Sequence, residues 1–324
     1  MSPASRTEPA AWRPSASLDA LRARAAALGR IRAFFARAGV LEVETPALSR
    51  HATTDPSLTP FATRYRGPGH ARGLTLYLHT SPEFPMKRLL AAGSGPVYQI
   101  CRVFRNAERG PRHSPEFSLL EWYRPGFRLE DLMDEVAALV QTLAGRPLAV
   151  EHHRYGALFR EHLGLDPHRA DSAALAAAAR AQGLEIRLEA RDAWLDLLMS
   201  HCIEPRLPAD RLCFVRDYPA SQAALARIRA GDPPVAERFE LFLGGMELAN
   251  GFHELADPRE QRRRFEEENR RRRQALPLDT HLLAALDAGL PDCSGVALGL
   301  DRLLMWLLGE DRIERVQAFA FEDA

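Results

Sequence analysis

Residues 240–254 read ELFLGGMELANGFHE, and in this mostly apolar stretch Glu240, Glu247 and Glu254 stand seven apart. A heptad helix would align them. Gly244, Gly245 and Gly251 argue against a helix, because each interior glycine costs roughly 1 kcal/mol relative to alanine. Apolar runs on either side of Gly-Gly instead signal a β-hairpin. Its expected register pairs Leu243 with Met246, Phe242 with Glu247 and Glu240 with Ala249, so that Glu240 and Glu247 share a face as diagonal neighbours. Side by side, two carboxylates repel unless a cation lies between them, most simply Mg²⁺ with its oxygen ligands. The alternative is an edge strand with two solvated glutamates. Glu254 would point away from Glu247 in a plain strand, and one bulge at Asn250-Gly251 would restore the phase.

The chain of 324 residues is long enough for two average domains or one large one, and 46% apolar residues supply a sizeable core. Forty-three basic and forty-three acidic residues cancel, so the overall charge demands neither nucleic acid nor an anionic membrane. Lys87 is the one lysine, and arginine carries the remaining positive charge; a Schiff-base enzyme would have that single candidate. Cys101, Cys202, Cys213 and Cys293 are scattered without a C-x-x-C, which suggests neither a zinc site nor a disulfide framework and fits a reducing cytoplasm. Residues 1–18 read as a polar tail without the apolar core of a signal peptide, and no later run approaches a membrane span.

Helical spacing predicts a helix over Leu21 to Ala38, stopped by Gly39, then a strand from Val40 to Glu44 ended by Thr45-Pro46. Residues 50–72 read as loop, Leu74 to His79 as a strand, and Pro82 opens a helix through Ala92. Val97 to Phe104 and Phe117 to Tyr123 read as strands, Leu129 to Leu143 as a helix, and 155–200 as an Ala-rich helical insertion. Strands return at Leu212 to Val215 and in the hairpin. From Asp257 to Gln274 a charged helix follows, in which Glu266, Glu267 and Glu268 each precede an arginine by four, the pattern of a solvated, ion-paired helix rather than a nucleic-acid patch. Val296 to Leu298 is a last strand and Asp301 to Leu308 a closing helix. Clustered strands with outer helices define an α+β fold around a mainly antiparallel sheet.

Two further stretches carry chemistry. In VYQICRVFRNAERGPRHSPEFSLLEWYR, residues 97–124, two strands flank a loop with Arg105, Arg109, Arg112 and His113, and Phe117 follows. Converging guanidinium groups suit a polyphosphate and the aromatic ring offers a stacking face, although a solvated loop is the plain alternative. In GVALGLDRLL, residues 295–304, an apolar strand runs into a helix opened by Asp301-Arg302, a weak anion-site pattern by itself.

Taken together, GVLEVETPALS with Pro46, CRVFRN with its loop and HSPEF, and GVALGLDR resemble the three motifs of class II aminoacyl-tRNA synthetases, from about Leu21 to the end of the chain. TSPEF, EFSLLEWY and ELFLGGMELANGFHEL are similar to the lysine subgroup. The resemblance implies the class II catalytic fold, ATP and Mg²⁺ as cofactors, and a homodimer formed through Pro46 and the helix before it. Arg105 would bridge the substrate carboxylate and the α-phosphate, Phe117 would stack on adenine, and Arg302 would hold the γ-phosphate. Asn106, Ala107, Arg112, His113, Ser114, Leu248 and Gly299 would complete the ATP site, and Glu240 and Glu247 would hold Mg²⁺. Glu254, Glu121, Tyr123, Asn250 and Phe252 would surround the side-chain ammonium of a lysine-like substrate, with Glu83, beside Ser81 and Pro82, at its other amino group. Charge logic agrees, because a ligand with two ammonium groups and one carboxylate needs several acids and one arginine.

A lysyl-tRNA synthetase carries an oligonucleotide-binding barrel ahead of the first motif, and a domain of about 100 residues does not fit before residue 21. The shorter family that the chain resembles throughout, in TSPEF, PEFSLLEWYRP, DYPASQAAL, ELANGFHEL and PDCSGVALGLDR, is that of the elongation factor P lysine ligases. That resemblance implies activation of (R)-β-lysine or lysine as an acyl-adenylate and transfer to a lysine ε-amino group of elongation factor P, with no anticodon-binding domain and tRNA a poor acceptor. Ser81 and Ala297 match the ligases, where synthetases usually have alanine and glycine. Ala107 stands where the second motif normally has glutamate, with Glu108 next to it, and Ser114 replaces the usual asparagine. A stand-alone lysine-activating enzyme with another acceptor such as tRNA, or a non-catalytic regulatory module, are the other readings.

Overall fold

The computed structural model describes residues 12–324; most of the polar tail, residues 1–11, lies outside the described residues. Ser17 caps the first helix, α1 (Leu18–Arg37), accepting from the Ala20 N–H, and Asp19 and Arg37 sit at the ends that the helix dipole favours. Ala27, Ile31 and Phe35 recur every four residues and form its buried face. Short strands β1 (Leu41–Glu42) and β2 (Leu48–Ser49) follow, then β3 (Ala62–Tyr65), β4 (Leu74–Leu78) and α2 (Glu83–Ala91). The central part comprises β5 (Val97–Phe104), β6 (Glu116–Pro125), α3 (Leu129–Ala144) and β7 (Val150–Arg154). Helices α4 (Tyr155–Leu163), α5 (Ser172–Ala181) and α6 (Arg191–Leu198) lead through a π-helical turn, Met199–Ile203, to β8 (Leu212–Pro219). After β9 (Ile228–Arg229) come the hairpin strands β10 (Val235–Leu243) and β11 (Met246–His253), then α7 (Pro258–Arg271), α8 (Thr280–Gly289), β12 (Cys293–Gly299) and α9 (Leu300–Leu308).

The main sheet runs β1-β5-β6-β12-β11-β10-β8-β7, with β9 beside β10; only β1–β5 and β7–β8 are parallel. This is the α+β, mainly antiparallel architecture expected. A second, small sheet pairs β2, β4 and β3. Strands β2, β3, β7 and β9 and helix α8 have no counterpart among the elements expected from the sequence.

Alternation along the strands divides the core into layers. On the back, Tyr98, Leu120, Trp122, Phe214, Phe239 and Leu241 pack with α1, α3 and α9. Phe35 stacks on Tyr98 with ring centroids 4.4 Å apart and meets Trp122 edge-on at 5.3 Å. On the front, Val97, Tyr123 and Cys293 pack at one end with Met86, Phe265 and Leu282 from α2, α7 and α8. At the other end Cys213, Val215 and Phe242 pack with Tyr155, Trp194 and Leu198 from α4 and α6. The front of the sheet between these two clusters bears polar side chains.

The hairpin turns at Gly244 and Gly245, both at positive φ (63° and 69°), the type I′ geometry that Gly-Gly supplies without strain. Leu243 faces Met246 and Phe242 faces Glu247, but Leu241 faces Ala249 and Glu240 faces Asn250. The bulge is therefore at Leu248 and not at Asn250-Gly251, and Glu240 pairs with Asn250 rather than Ala249. The extra residue lets two consecutive apolar side chains, Leu248 and Ala249, both enter the back core.

Helix α7 departs from the expected ladder of ion pairs. Glu267 meets Arg270 at 2.6 Å and Arg271 at 3.3 Å. Glu268 instead turns inward to the Thr54 hydroxyl, where burial pushes its carboxyl up to about 7. Arg272 donates to the carbonyl oxygens of Asp55 and Leu58. Glu268 and Arg272 thus tie α7 to the 53–58 loop.

Candidate active site

The polar strip lies in a cleft of about 1060 Å³ between the two front clusters. Sheet register organises it into rows. One row across five strands places Gln99, Glu121, Ala297, Asn250 and Glu240 side by side, and the next places Tyr123, Gly295, Phe252 and Arg238. Residues as distant in the chain as 121, 240 and 297 thus become neighbours because equivalent positions on paired strands face the same way. Gly295 is required there, since a Cβ would lie 2.3 Å from the Tyr123 ring and 2.6 Å from Glu254 Oε1.

At one end of the cleft the guanidinium of Arg105 lies 5.0 Å from the centre of the Phe117 ring. Its Nη1 is 3.7 Å from Glu108. Arg302, in the first turn of α9, donates to the Glu247 carbonyl at 2.9 Å and to the Arg112 carbonyl at 3.2 Å. Its Nη2 also lies 2.7 Å from His113 Nε2. Burial and the neighbouring Arg302 lower the His113 pKa, so the neutral ring accepts that bond. Arg112 in turn donates to the Gly245 carbonyl at 2.6 Å, linking the loop to the hairpin tip. Asp301 is buried under this group, accepting from Arg24 at 2.5 Å, the Ser118 N–H at 2.9 Å and Gln317 at 3.0 Å. Ser114, Leu248 and Gly299 line the cleft as well. Asn106 and Ala107 lie outside its wall: the Asn106 N–H is bonded to Thr59, and Ala107 occupies the left-handed region at φ 69°, while Glu108 faces inward.

Midway, Glu240 and Glu247 lie on one face, as expected. Glu240 is half-buried and ion-paired with Arg238, whose guanidinium stacks over Tyr218 at 4.5 Å. Across from them Glu204 has its carboxyl pushed up to about 7 by burial, then by repulsion from Glu247 and Glu240. An all-oxygen donor set with excess negative charge fits a hard divalent cation.

At the far end Ser81 donates to Glu121 Oε2 at 2.7 Å and Tyr123 donates to Glu121 Oε1 at 2.6 Å. Burial, then repulsion from Glu83, raises the Glu121 carboxyl to about 7. Pro82 starts α2, directing Glu83 into the cleft, and one turn on, the buried ammonium of Lys87 lies 2.6 Å from Glu83 and 2.5 Å from Glu254. Burial raises Glu254 to about 8 against the opposing pull of Lys87. Both carboxylate oxygens of Glu254 and Asn250 Oδ1 are buried without a hydrogen-bond partner among the described residues, the Lys87 contact being an ion pair. Ser81, Glu83, Asn250, Phe252 and Ala297 line the cleft, whereas Glu121, Tyr123 and Glu254 form the layer beneath its floor.

Sequence reasoning missed Lys87, Arg238 and Glu204 as members of this assembly. Two had a local signal: Lys87 is four residues after Glu83 on one helix, and Arg238 is two before Glu240 on one strand. Glu204 comes from the segment after α6 and meets the hairpin only through the fold.

Residues 7–323 match the family model of class II tRNA synthetases of the D, K and N type. The chain belongs to that family. Among curated relatives it is similar to the elongation factor P–(R)-β-lysine ligases of Enterobacter sp. (strain 638) and Salmonella arizonae, each 51% identical over 325 residues. The same ligase of Klebsiella pneumoniae (strain 342) is 51% identical over 326 residues; each match covers 98% of this chain and 100% of the relative. Among the described residues no helix is long and apolar enough to cross a membrane.

Proposed function

We propose that the protein is an ATP-dependent ligase that activates (R)-β-lysine, or lysine, and transfers it to a lysine ε-amino group of elongation factor P in the cytoplasm. The observation that carries this reading is the two-ended cleft: arginines and an aromatic face at one end, and at the other the half-buried Glu83 above the buried acids Glu121 and Glu254, with both Glu254 oxygens lacking a hydrogen-bond partner among the described residues. Full-length similarity to named ligases supports the acceptor.

In this reading the substrate carboxylate attacks the α-phosphorus of ATP and pyrophosphate leaves. The acceptor amine then attacks the acyl carbon and AMP leaves. Arg105 holds the carboxylate against the α-phosphate, Phe117 packs on adenine, and Arg302, already fixed by Glu247 and His113, meets the γ-phosphate. Ser114, Leu248, Gly299 and Arg112 complete the walls, with Asn106 and Ala107 shaping the loop behind them. Glu240 and Glu247 would hold Mg²⁺, which supplies charge neutralisation for the phosphates. Glu83 and Glu121 orient the amino groups of the substrate, with Asn250, Tyr123 and Phe252 around them and Ser81 and Ala297 limiting its length. The active-site strip belongs to one catalytic unit from residue 19 onward, with α4 to α6 as its insertion. A homodimer through the Pro46 region accompanies this reading, supported by the exposed side chains of Leu41, Leu48 and Tyr65.

The test is an acceptor competition: purified protein, ATP, Mg²⁺ and (R)-β-lysine with elongation factor P and total tRNA in one tube, read by mass. One lysine-sized gain on elongation factor P is expected. Charging of tRNA instead would favour a stand-alone activating enzyme, and absence of any adenylate would reduce the protein to a binding module.

A further inference from the structure

The acid pocket contains a cation of its own. Lys87 is 1% exposed, and its ammonium bridges Glu83 on its own helix and Glu254 at the end of β11. The other ionisable groups packed around it are Glu121 and Tyr123 from β6 and Cys293 from β12. Three carboxylates so close do not stay ionised together in a dry site; such a cluster takes up protons. One internal ammonium against three carboxylates leaves a deficit of two positive charges.

We propose that Lys87 is a positioning and specificity-determining residue, a fixed internal cation that holds Glu83 and Glu254 apart and aimed, so that the pocket takes a ligand bearing two ammonium groups. The inference rests on the lysine-ligase reading and deepens it. Geometry supports the division of labour. Lys87 pairs by charge with Glu254 Oε2 at 2.5 Å while both Glu254 oxygens stay buried without an aligned hydrogen-bond donor among the described residues, and its hydrogen bond to Glu83 fixes the carboxylate that lines the open cleft one helical turn earlier. The ammonium itself stays charged, because the two carboxylates raise its pKa against the opposing effect of burial. Without Lys87, the carboxyl of Glu254 rises further, since Lys87 is the group that lowers it.

The experiment is lysine-dependent ATP–pyrophosphate exchange across pH 6 to 10 with the wild type, Lys87→Met, which keeps the apolar stem, and Lys87→Arg, which keeps the charge. Lys87→Met is expected to raise KM for lysine by about tenfold or more with a smaller change in kcat, and to move the rising limb of kcat/KM to higher pH by about one unit, equivalent to tenfold. Lys87→Arg is expected to keep the wild-type limb. Unchanged KM and pH profile in Lys87→Met overturns the inference and leaves the ligase reading standing, whereas a wild type that activates no lysine overturns both. A second measurement does not depend on a variant folding. Because the chain has a single lysine, protein labelled with ¹⁵N-lysine gives one ammonium signal, expected to be protected from solvent and to shift when unlabelled substrate is added; a freely exchanging or unresponsive signal overturns the inference.

Discussion

Asp301 Oδ1 accepts a hydrogen bond from Arg24 Nη1 at 2.5 Å, which joins the first helix of the fold to the last. The carboxylate is 1% exposed and also receives the Ser118 N–H, so the bond pins α1, β6 and the helix that presents Arg302 to one point. Asp301→Ala strands a largely buried guanidinium and is expected to cost about 3 kcal/mol in urea unfolding, in line with broken buried pairs. Arg22→Ala, which removes the solvent-exposed pair with Asp19, is expected to cost no more than about 0.5 kcal/mol. Equal costs for the two variants would refute this account of the anchor.

Stability without substrate is expected to fall as pH rises from 6.5 to 9. Glu121 and Glu254 have folded values of about 7 and about 8, above the ordinary 4.5, so between those limits the native state binds more protons than the unfolded chain. Their contribution is complete below 4.5 and is lost as pH rises through the folded values. Glu204 and Glu268, both near 7, act in the same sense, while the lowered values of His79, His113 and His168 act below 6.5. Lysine bound as proposed would supply the missing cations, and its stabilising effect on the melting temperature is expected to grow over the same window. A melting temperature that climbs from pH 6.5 to 9 would contradict the assignment.

Glu247→Ala is expected to abolish pyrophosphate exchange with the fold intact, because its carboxylate is half-open to the cleft and makes one distant contact, 3.8 Å to Arg302. A circular-dichroism melt like the wild type together with lost exchange is the expected pair of results; normal exchange would sink the metal assignment.

For Glu254→Ala the expectation is lost discrimination among amino acids, since the change removes a buried carboxylate whose oxygens lack an aligned donor and which opposes Lys87. Exchange measured with lysine, ornithine and norleucine checks it. An unchanged preference for lysine would refute the pocket.

Ala107 adopts φ 69°, a region that costs an L-residue about 1 kcal/mol relative to glycine. Ala107→Gly is therefore expected to stabilise the folded state by up to about 1 kcal/mol in chemical denaturation. A destabilised variant would mean that the alanine methyl makes contacts that outweigh its backbone strain.

Local chemistry made much of the fold legible. Gly244-Gly245 announced the hairpin and its tip register, and β5, β6 and β12 read as strands from their apolar runs, consecutive residues of which are buried in the sheet. The elements missed lack such a pattern. Strand β3 reads ATRY and is exposed throughout, and β7 reads VEHHR and is a strand because it pairs with β8. The bulge at Leu248 depends on which of two adjacent apolar residues the back core accepts, a matter of packing rather than pattern. In the cleft, resemblance named residues from four strands, but their common row is a property of sheet register. The layering of Glu121 and Glu254 beneath the floor follows from side chains, Ser81 and Lys87 among them, that no local spacing aligns.

The solitary lysine also protects a ligase of this kind from its own chemistry. An activated lysyl group is an electrophile, and any exposed primary amine on the catalyst would compete with the intended acceptor for it. Here the surface positive charge is carried by arginine, whose guanidinium stays protonated and non-nucleophilic at neutral pH. The one side-chain amine is sealed from solvent and kept as an ammonium, without a free electron pair to offer. The enzyme thereby avoids tagging its own side chains with the product it makes.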